Sequence, residues 1–387
     1  MREGSYDNAV VTPQGLYYRV WKLAEWLGSL KFTLAAMILF AAAVLFSYSL
    51  PISVSWAISP PLFILAVNLL AAVVTNPLFR KETGLLVFHL ALISLAIFAG
   101  LSRLTYLRGN VEITEGLVFD PALADVDSGP RHNFKLDSVR FVNEGFKINY
   151  DEGPIRRDTY NHITWYDDNG ASHSQIIGDD YPLVIKGYRF YTTANKGFAP
   201  IFTWYPETGS GSAGGSEPIT GSVHFPSYPT YRKEQSKVWK GPGGMEIMTK
   251  LLFDEVIIDP KKPSGFRLPK DKRVLVQVRK KSRVLKQGDS IKLDDLPKGR
   301  LVYREMRTWM GYFIFYDWTT TWMLASCGVA VIGLALHYYG RFSRTSWLEA
   351  GRRCQGLPPK APAAGVNALS AQADKRYKKR FKDGAGV

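Results

Sequence analysis

Apolar and polar residues are segregated along this chain. Phe32 to Leu50 carries no charged residue and approaches the length of about 20 residues that crosses a bilayer core. Ile58 to Thr75 is a second such run, Gly84 to Leu101 a third and Trp318 to Tyr339 a fourth. The turn between the first two, Pro51 to Trp56, is very short. Pro60 and Pro61 stand near the start of the second run, where proline costs a helix least. The first run is too long for a signal-peptide core and no small-residue cleavage pattern clearly follows it, so it is expected to be retained. Ahead of it, Tyr17 to Leu30 has the pattern of an amphipathic helix on the membrane surface, with Trp21 and Trp26 suited to the interface.

Between the third and fourth runs the pattern changes period. Arg273 to Arg279 places Val274, Val276 and Val278 on one face of a strand. Leu183 to Tyr191 is another strand candidate, broken at Gly187. Phe134 to Phe141, Phe146 to Tyr150, Thr159 to Tyr166 and Leu301 to Tyr303 fit as well. Asp168-Asn169-Gly170, Gln287-Gly288-Asp289 and Pro297-Lys298-Gly299 supply turns. Met245 to Phe253 is expected to be a short helix and Thr208 to Ser216, rich in Gly and Ser, a flexible loop. Tyr312 to Tyr316, with Trp318 and Trp322, reads as an aromatic belt at the outer interface.

The expected fold is four transmembrane helices, three N-terminal and one C-terminal, with a large β-rich domain between the third and fourth. The expected divisions are an interfacial segment 1–30, a three-helix region 31–101, a β-rich domain 102–317, a fourth helix 318–340 and a basic tail 341–387. Leu357 to Ala364 reads as a Pro/Ala linker within that tail.

Charge orients this arrangement. The net charge is +15, and the tail after Gly340 holds 11 Lys and Arg against 3 Asp and Glu. Arg19, Lys22 and Lys31, then Arg80 and Lys81, then Arg341 and Arg344 flank the runs. Basic residues at span ends stay on the cytoplasmic side, and four spans satisfy all three clusters only with both termini inside. Residues 102–317 are then extracytoplasmic and the tail is an anchor at anionic lipid. Nucleic acid is a poor partner for it, because no aromatic-rich basic platform or zinc pattern accompanies the charge.

The chemistry-bearing residues are sparse. Cys327 and Cys354 cannot form a disulfide framework, and there is no CxxC or CxxCH. The six histidines, His89, His132, His162, His173, His224 and His337, form no HExxH or HxH pattern. No catalytic carboxylate pair, phosphate loop or nucleophile elbow stands out, so a self-contained hydrolase, kinase or dehydrogenase is disfavoured. The four histidines of the middle domain read as surface residues, and His337 as an interfacial one.

His89 differs from these, because an ionisable side chain inside a span is a functional candidate by default. It lies about 8 Å beyond Gly84 along a helix, in the inner half of the bilayer. Neutral imidazole is a good axial ligand for haem iron, and Leu85, Leu86, Leu92 and Ile93 would suit a porphyrin face. The residues alone equally allow a histidine bonded to a neighbouring helix, for instance through Asn68, itself a polar group expected to bond between helices.

Several stretches, taken in order, resemble the ResB (CcsB) family of cytochrome c biogenesis proteins. They are Leu27-Gly28-Ser29-Leu30-Lys31, Phe88-His89-Leu90, Gly109 to Gly116, the segment Phe146 to Tyr191, and Asp317 leading into a last span that closes with Arg344 and Trp347. The resemblance implies a system II subunit without a catalytic site of its own, accessory to a cytochrome c synthetase in the inner membrane. It implies a CcsA-type partner that handles haem, an apocytochrome c as acceptor, and His89 as an axial ligand to haem b within the membrane. The alternative is a membrane-anchored scaffold whose β-rich domain binds an extracytoplasmic protein without a cofactor.

Overall fold

A bilayer core offers no water to unpaired backbone groups, so an apolar run must satisfy them internally. All four runs are helical. The computed structural model describes residues 13–50, 53–133, 135–152, 155–207, 217–229, 234–293 and 298–354, except the side chains of 13–16 and 343–353. The Gly/Ser stretch 208–216, the Pro/Ala linker, the tail beyond Cys354 and residues Pro51, Phe134 and Pro297 lie outside the described residues.

The helices are α1 (Pro13–Leu27), α2 (Leu30–Ser49), α3 (Val54–Thr75), the single turn α4 (Leu78–Lys81), α5 (Thr83–Thr105) and α6 (Thr320–Cys354). Four segments are long and apolar enough to cross a membrane: Leu30–Ser49, Val54–Thr75, Thr83–Thr105 and Thr320–Phe342. Three N-terminal apolar helices and one C-terminal one thus flank a β-rich domain, as the hydropathy pattern requires. α3 begins at Val54, earlier than expected, so Pro60 and Pro61 stand inside the helix.

Among the described residues the chain forms two compact units. In the helical unit the turn from α1 to α2 is capped by Ser29, whose hydroxyl accepts from the Phe32 N–H. Gly28 presses against the α3 backbone, and a Cβ there would lie 2.7 Å from Ala72 N. Asn68 of α3 is fully buried, donates to Leu27 O at 2.5 Å and accepts from the Thr33 hydroxyl at 2.9 Å. A polar side chain in an apolar span is therefore satisfied between helices, as expected. α5 and α6 meet through the Ser94 and Ser326 hydroxyls, 2.9 Å apart, and through stacked Phe98 and Trp322 rings.

The β unit is built on two long antiparallel strands, β7 (Tyr188–Pro206) and β15 (Gly299–Tyr316). β1 (Leu107–Thr114) pairs with the last half of β15, so that Leu107 lies opposite Tyr316 and the chain enters and leaves the sheet on adjacent strands. β2 (Ala124–Ser128), β6 (Leu183–Ile185), β8 (Ile219–Ser222) and β14 (Ser290–Leu293) complete this sheet. A second sheet contains β3 (Phe141–Tyr150), β4 (Arg156–Tyr166), β5 (Ser172–Ile177) and β11 (Ser264–Gly265). The third has the order β13 (Lys281–Leu285), β12 (Arg273–Val278), β10 (Glu246–Leu252), β9 (Ser236–Lys240).

Val274, Val276 and Val278 are buried on one face of β12, as their period predicts. Leu183 to Tyr191 is a hairpin with Lys186 and Gly187 at positive φ, which explains the break. Three expectations are corrected. Met245 to Phe253 is strand β10, with Ile247, Thr249 and Leu251 buried at period two. Phe141 begins β3, but Leu136 to Ser138 ahead of it is a short 3-10 turn. Tyr312 to Tyr316 is the end of β15, where Tyr312 and Ile314 are fully buried. Burial of each such side chain is worth about 1.5–3 kcal/mol, so these residues belong to the core of the β unit.

The core also contains a closed polar network. Asn161 donates to Asn143 Oδ1 and to Gly145 O, both at 2.8 Å, and accepts from the Tyr312 hydroxyl at 2.6 Å. Asn143 donates in turn to Ile113 O at 2.9 Å. Strands β1, β3, β4 and β15 are joined through these buried groups, and each added partner removes a desolvation cost of about 1–3 kcal/mol.

Candidate functional site

His89 stands on the second turn of α5, half-buried. Its Nδ1 lies 2.9 Å from Leu85 O. A carbonyl oxygen only accepts, so this bond places a proton on Nδ1; in the neutral ring Nε2 then carries the lone pair, and it makes no hydrogen bond among the described residues. That is the tautomer a metal-binding imidazole needs, with a backbone carbonyl orienting the ring. The Phe79 ring of α4 packs edge-on against the imidazole with centroids 4.6 Å apart. Leu85, Leu86 and Leu92 remain partly exposed, while Ile93 is buried and is not free to line a ligand. Asn68 is engaged with Leu27 and Thr33, so the bond between His89 and Asn68 that the sequence allowed is not formed.

The same end of α5 meets α6 at close range. A Cβ on Gly84 would clash with the backbone N of His337 and lie 2.7 Å from its Cα. A Cβ on Gly333 would lie 2.6 Å from Phe88 N. Small residues let helix backbones approach in lipid, where apolar burial gives no drive to associate. His337 is brought by this crossing to Glu82, with Nδ1 3.6 Å from Oε2. His337 is therefore half-buried against α5. Sequence reasoning missed the Glu82 pairing and the Phe79 contact. The glycines were its available signal.

The histidines of the β unit divide. His162 and His173 are on the surface, and His173 stacks on Trp165. His132 is buried, with Nδ1 2.7 Å from Thr105 O and Nε2 2.9 Å from the Tyr188 hydroxyl. His224 is half-buried, with Nδ1 2.8 Å from Glu112 Oε2 and Nε2 2.8 Å from the Thr114 hydroxyl. The expectation of four surface histidines is thus corrected for these two. Their ring nitrogens bond the end of α5 and the side chains of β1 and β7.

The stretch Gly109 to Gly116 ends in hydrogen bonds to two other strands. Glu115 accepts from the Thr308 hydroxyl at 2.6 Å, and Gly116, at φ 76°, donates its N–H to Asn143 O. The β1 end is thereby tied to β3 and β15.

Four apolar helices of spanning length with a β-rich domain inserted before the last define a membrane protein of 3 + 1 architecture. The ResB-like family model matches residues 79–223, a stretch that opens on Phe79 and includes His89, Gly109 to Gly116 and strands β1 to β8, which bears out the resemblance read from the sequence. No curated protein matches the chain. Among solved structures it is similar to the cytochrome c heme lyase CcmF, at 10% identity and a TM-score of 0.27, over 85% of this chain and 41% of that one. The chain thus spans less than half the length of that protein.

Proposed function

We propose that this chain is a ResB-type subunit of cytochrome c biogenesis, which with a CcsA-type partner holds haem b in the membrane and passes it on for covalent attachment to apocytochrome c. The observation that carries the reading is the His89 imidazole, with Nδ1–H bonded to Leu85 O and Nε2 in no hydrogen bond among the described residues, within the segment that matches the ResB-like family. Haem is cargo in this scheme, and the imidazole fits one axial position of its iron. Leu85, Leu86 and Leu92 would meet the porphyrin edge. The second axial ligand belongs to the partner.

The proposal includes the orientation that the basic clusters favour. Both termini face the cytoplasm, residues 102–317 lie outside the inner membrane, and His89 sits in the inner half of the bilayer. Cytoplasmic haem would then reach His89 from its own side. The expected divisions at 30, 101, 317 and 340 belong to this same reading.

The test is spectroscopic. The complex purified with its partner should show a Soret band that His89→Ala weakens, with less cytochrome c matured in cells. An unchanged spectrum together with unchanged maturation in that variant removes the ligand assignment.

A further inference from the structure

A cavity of about 260 Å³ opens between the first and third sheets of the β unit, with Phe202, Trp204 and Leu301 among its lining residues. One wall is β8 and the other is β9 with the turn that follows it. Two independent features of this slot point to a ligand.

The first is Gly221, in the middle of β8. Its φ is not in the positive range and a Cβ there would meet nothing within 4 Å. Register places it opposite Phe202, on the face that lines the cavity. A strand glycine that neither the backbone nor packing requires marks a place where something else approaches closely.

The second is the pair of open strand edges. Among the described residues β8 pairs with β7 alone and β9 with β10 alone. Gly241 N–H bonds Met245 O and Leu251 N–H bonds Gln235 O, so alternate residues between them turn their backbones inward. Val238 and Lys240 therefore turn their N–H and C=O to the open side. By the same alternation, Val223 N–H bonded to Pro200 O leaves Thr220 and Ser222 facing outward from β8. Unpaired edges beside an apolar pocket are the parts used to bind an extended peptide, the edge for its backbone and the pocket for one side chain. Lys237 and Lys240 on β9 are exposed and form no ion pair among the described residues, although Glu246 lies opposite Lys240 in register.

We propose that this slot binds an extended segment of a partner polypeptide, which seats a bulky apolar or aromatic side chain in the cavity and carries acidic residues beside it. The site makes no use of His89 and stands apart from the haem assignment.

The test uses the full chain in detergent micelles and fluorescently labelled, end-blocked peptides read by anisotropy. One peptide has central phenylalanine between glutamates. Its controls replace phenylalanine by alanine, replace the glutamates by lysines, or methylate the backbone nitrogens. The first peptide should bind saturably, and each control should bind roughly tenfold more weakly or worse, as expected on losing an anchor or an edge. Gly221→Leu, which fills the cavity, should weaken the first peptide similarly without lowering the melting temperature. The methylated peptide, measured on the unaltered protein, keeps the test decisive should that variant fold poorly. Absence of saturable binding, equal binding of the methylated peptide, or binding of N-acetyltryptophanamide as tight as the peptide overturns the proposal. Unchanged binding to a folded Gly221→Leu protein overturns it too.

Discussion

Gly84 of α5 and Gly333 of α6 cross backbone to backbone, with a Cβ on Gly333 placed 3.1 Å from Gly84 O. The contact lies one turn before His89 and brings His337 to Glu82. No larger residue fits at either position without moving a helix. A variant Gly333→Leu should therefore separate the two helices near His89. The readout is a cysteine pair at Ser94 and Ser326, whose hydroxyls touch, in a Cys327→Ser background. Oxidation should cross-link this pair efficiently in membranes, and Gly333→Leu should lower the yield. Equal yields would show that the glycine crossing does not hold these helices together.

Phe79 holds the imidazole from one edge while Leu85 O holds its Nδ1–H. Phe79→Ala removes the ring contact and leaves Nε2, the atom that the proposed function gives to haem iron. The purified complex with its partner should then keep a Soret band, reduced less than by His89→Ala. A band lost as fully as in His89→Ala would give Phe79 a larger part than positioning.

The buried network of Asn143, Asn161 and Tyr312 predicts unequal costs. Burial pushes the Tyr312 phenol well above its ordinary range, so the hydroxyl is a permanent donor to Asn161. Tyr312→Phe removes one donor and should cost about 1–3 kcal/mol. Asn161→Leu breaks three bonds and leaves Asn143 Oδ1 and the Tyr312 hydroxyl short of a partner, which should cost more than Tyr312→Phe. Denaturant titration of the detergent-solubilised protein, followed by β-sheet circular dichroism, ranks the two.

Lys196 of β7 is 1% exposed, and its ammonium lies over the Tyr150 ring and donates to Ala194 O. Burial, then the nearby Arg156 charge, lowers its pKa from 10.5 to about 8, against a smaller opposing effect of Asp179. In the unfolded chain the lysine titrates near 10.5. Below pH 8 both states carry the charge and the full destabilisation is present. Between about 8 and 10.5 the folded state has lost the proton and the unfolded state keeps it, so stability rises with pH. The shift corresponds to about 3 kcal/mol. Lys196→Met should raise stability at neutral pH by up to that amount and flatten the rise, as measured by denaturant midpoints across the pH range.

Tyr150 offers a companion case. Its hydroxyl is buried without a hydrogen-bond partner among the described residues, and burial pushes its pKa up to about 12. Tyr150→Phe should leave stability unchanged or raise it by about 1 kcal/mol, because an unmet desolvation cost is removed. A loss of more than that on the same denaturant assay would reveal an acceptor this structure does not show.

Long uncharged runs and period-two valines determined the spanning helices and strands such as β12, because one dominant effect, removal of apolar surface from water, acts on them locally. His89 was legible as a candidate for the same reason, since an imidazole amid uninterrupted apolar residues has no local explanation. Local pattern failed where distant partners decided. Met245 to Phe253 becomes β10 because β9 and β12 bond its two edges. Tyr312 to Tyr316 enters the core because β1 and β7 flank it, although aromatic residues beside a span suit an interface equally well. The Nδ1 proton of His89, the Phe79 contact, the crossing at Gly84 and Gly333, and the open slot at Gly221 all depend on which backbones meet. Only the tertiary structure decided them, because such contacts join residues that no periodicity along the chain connects.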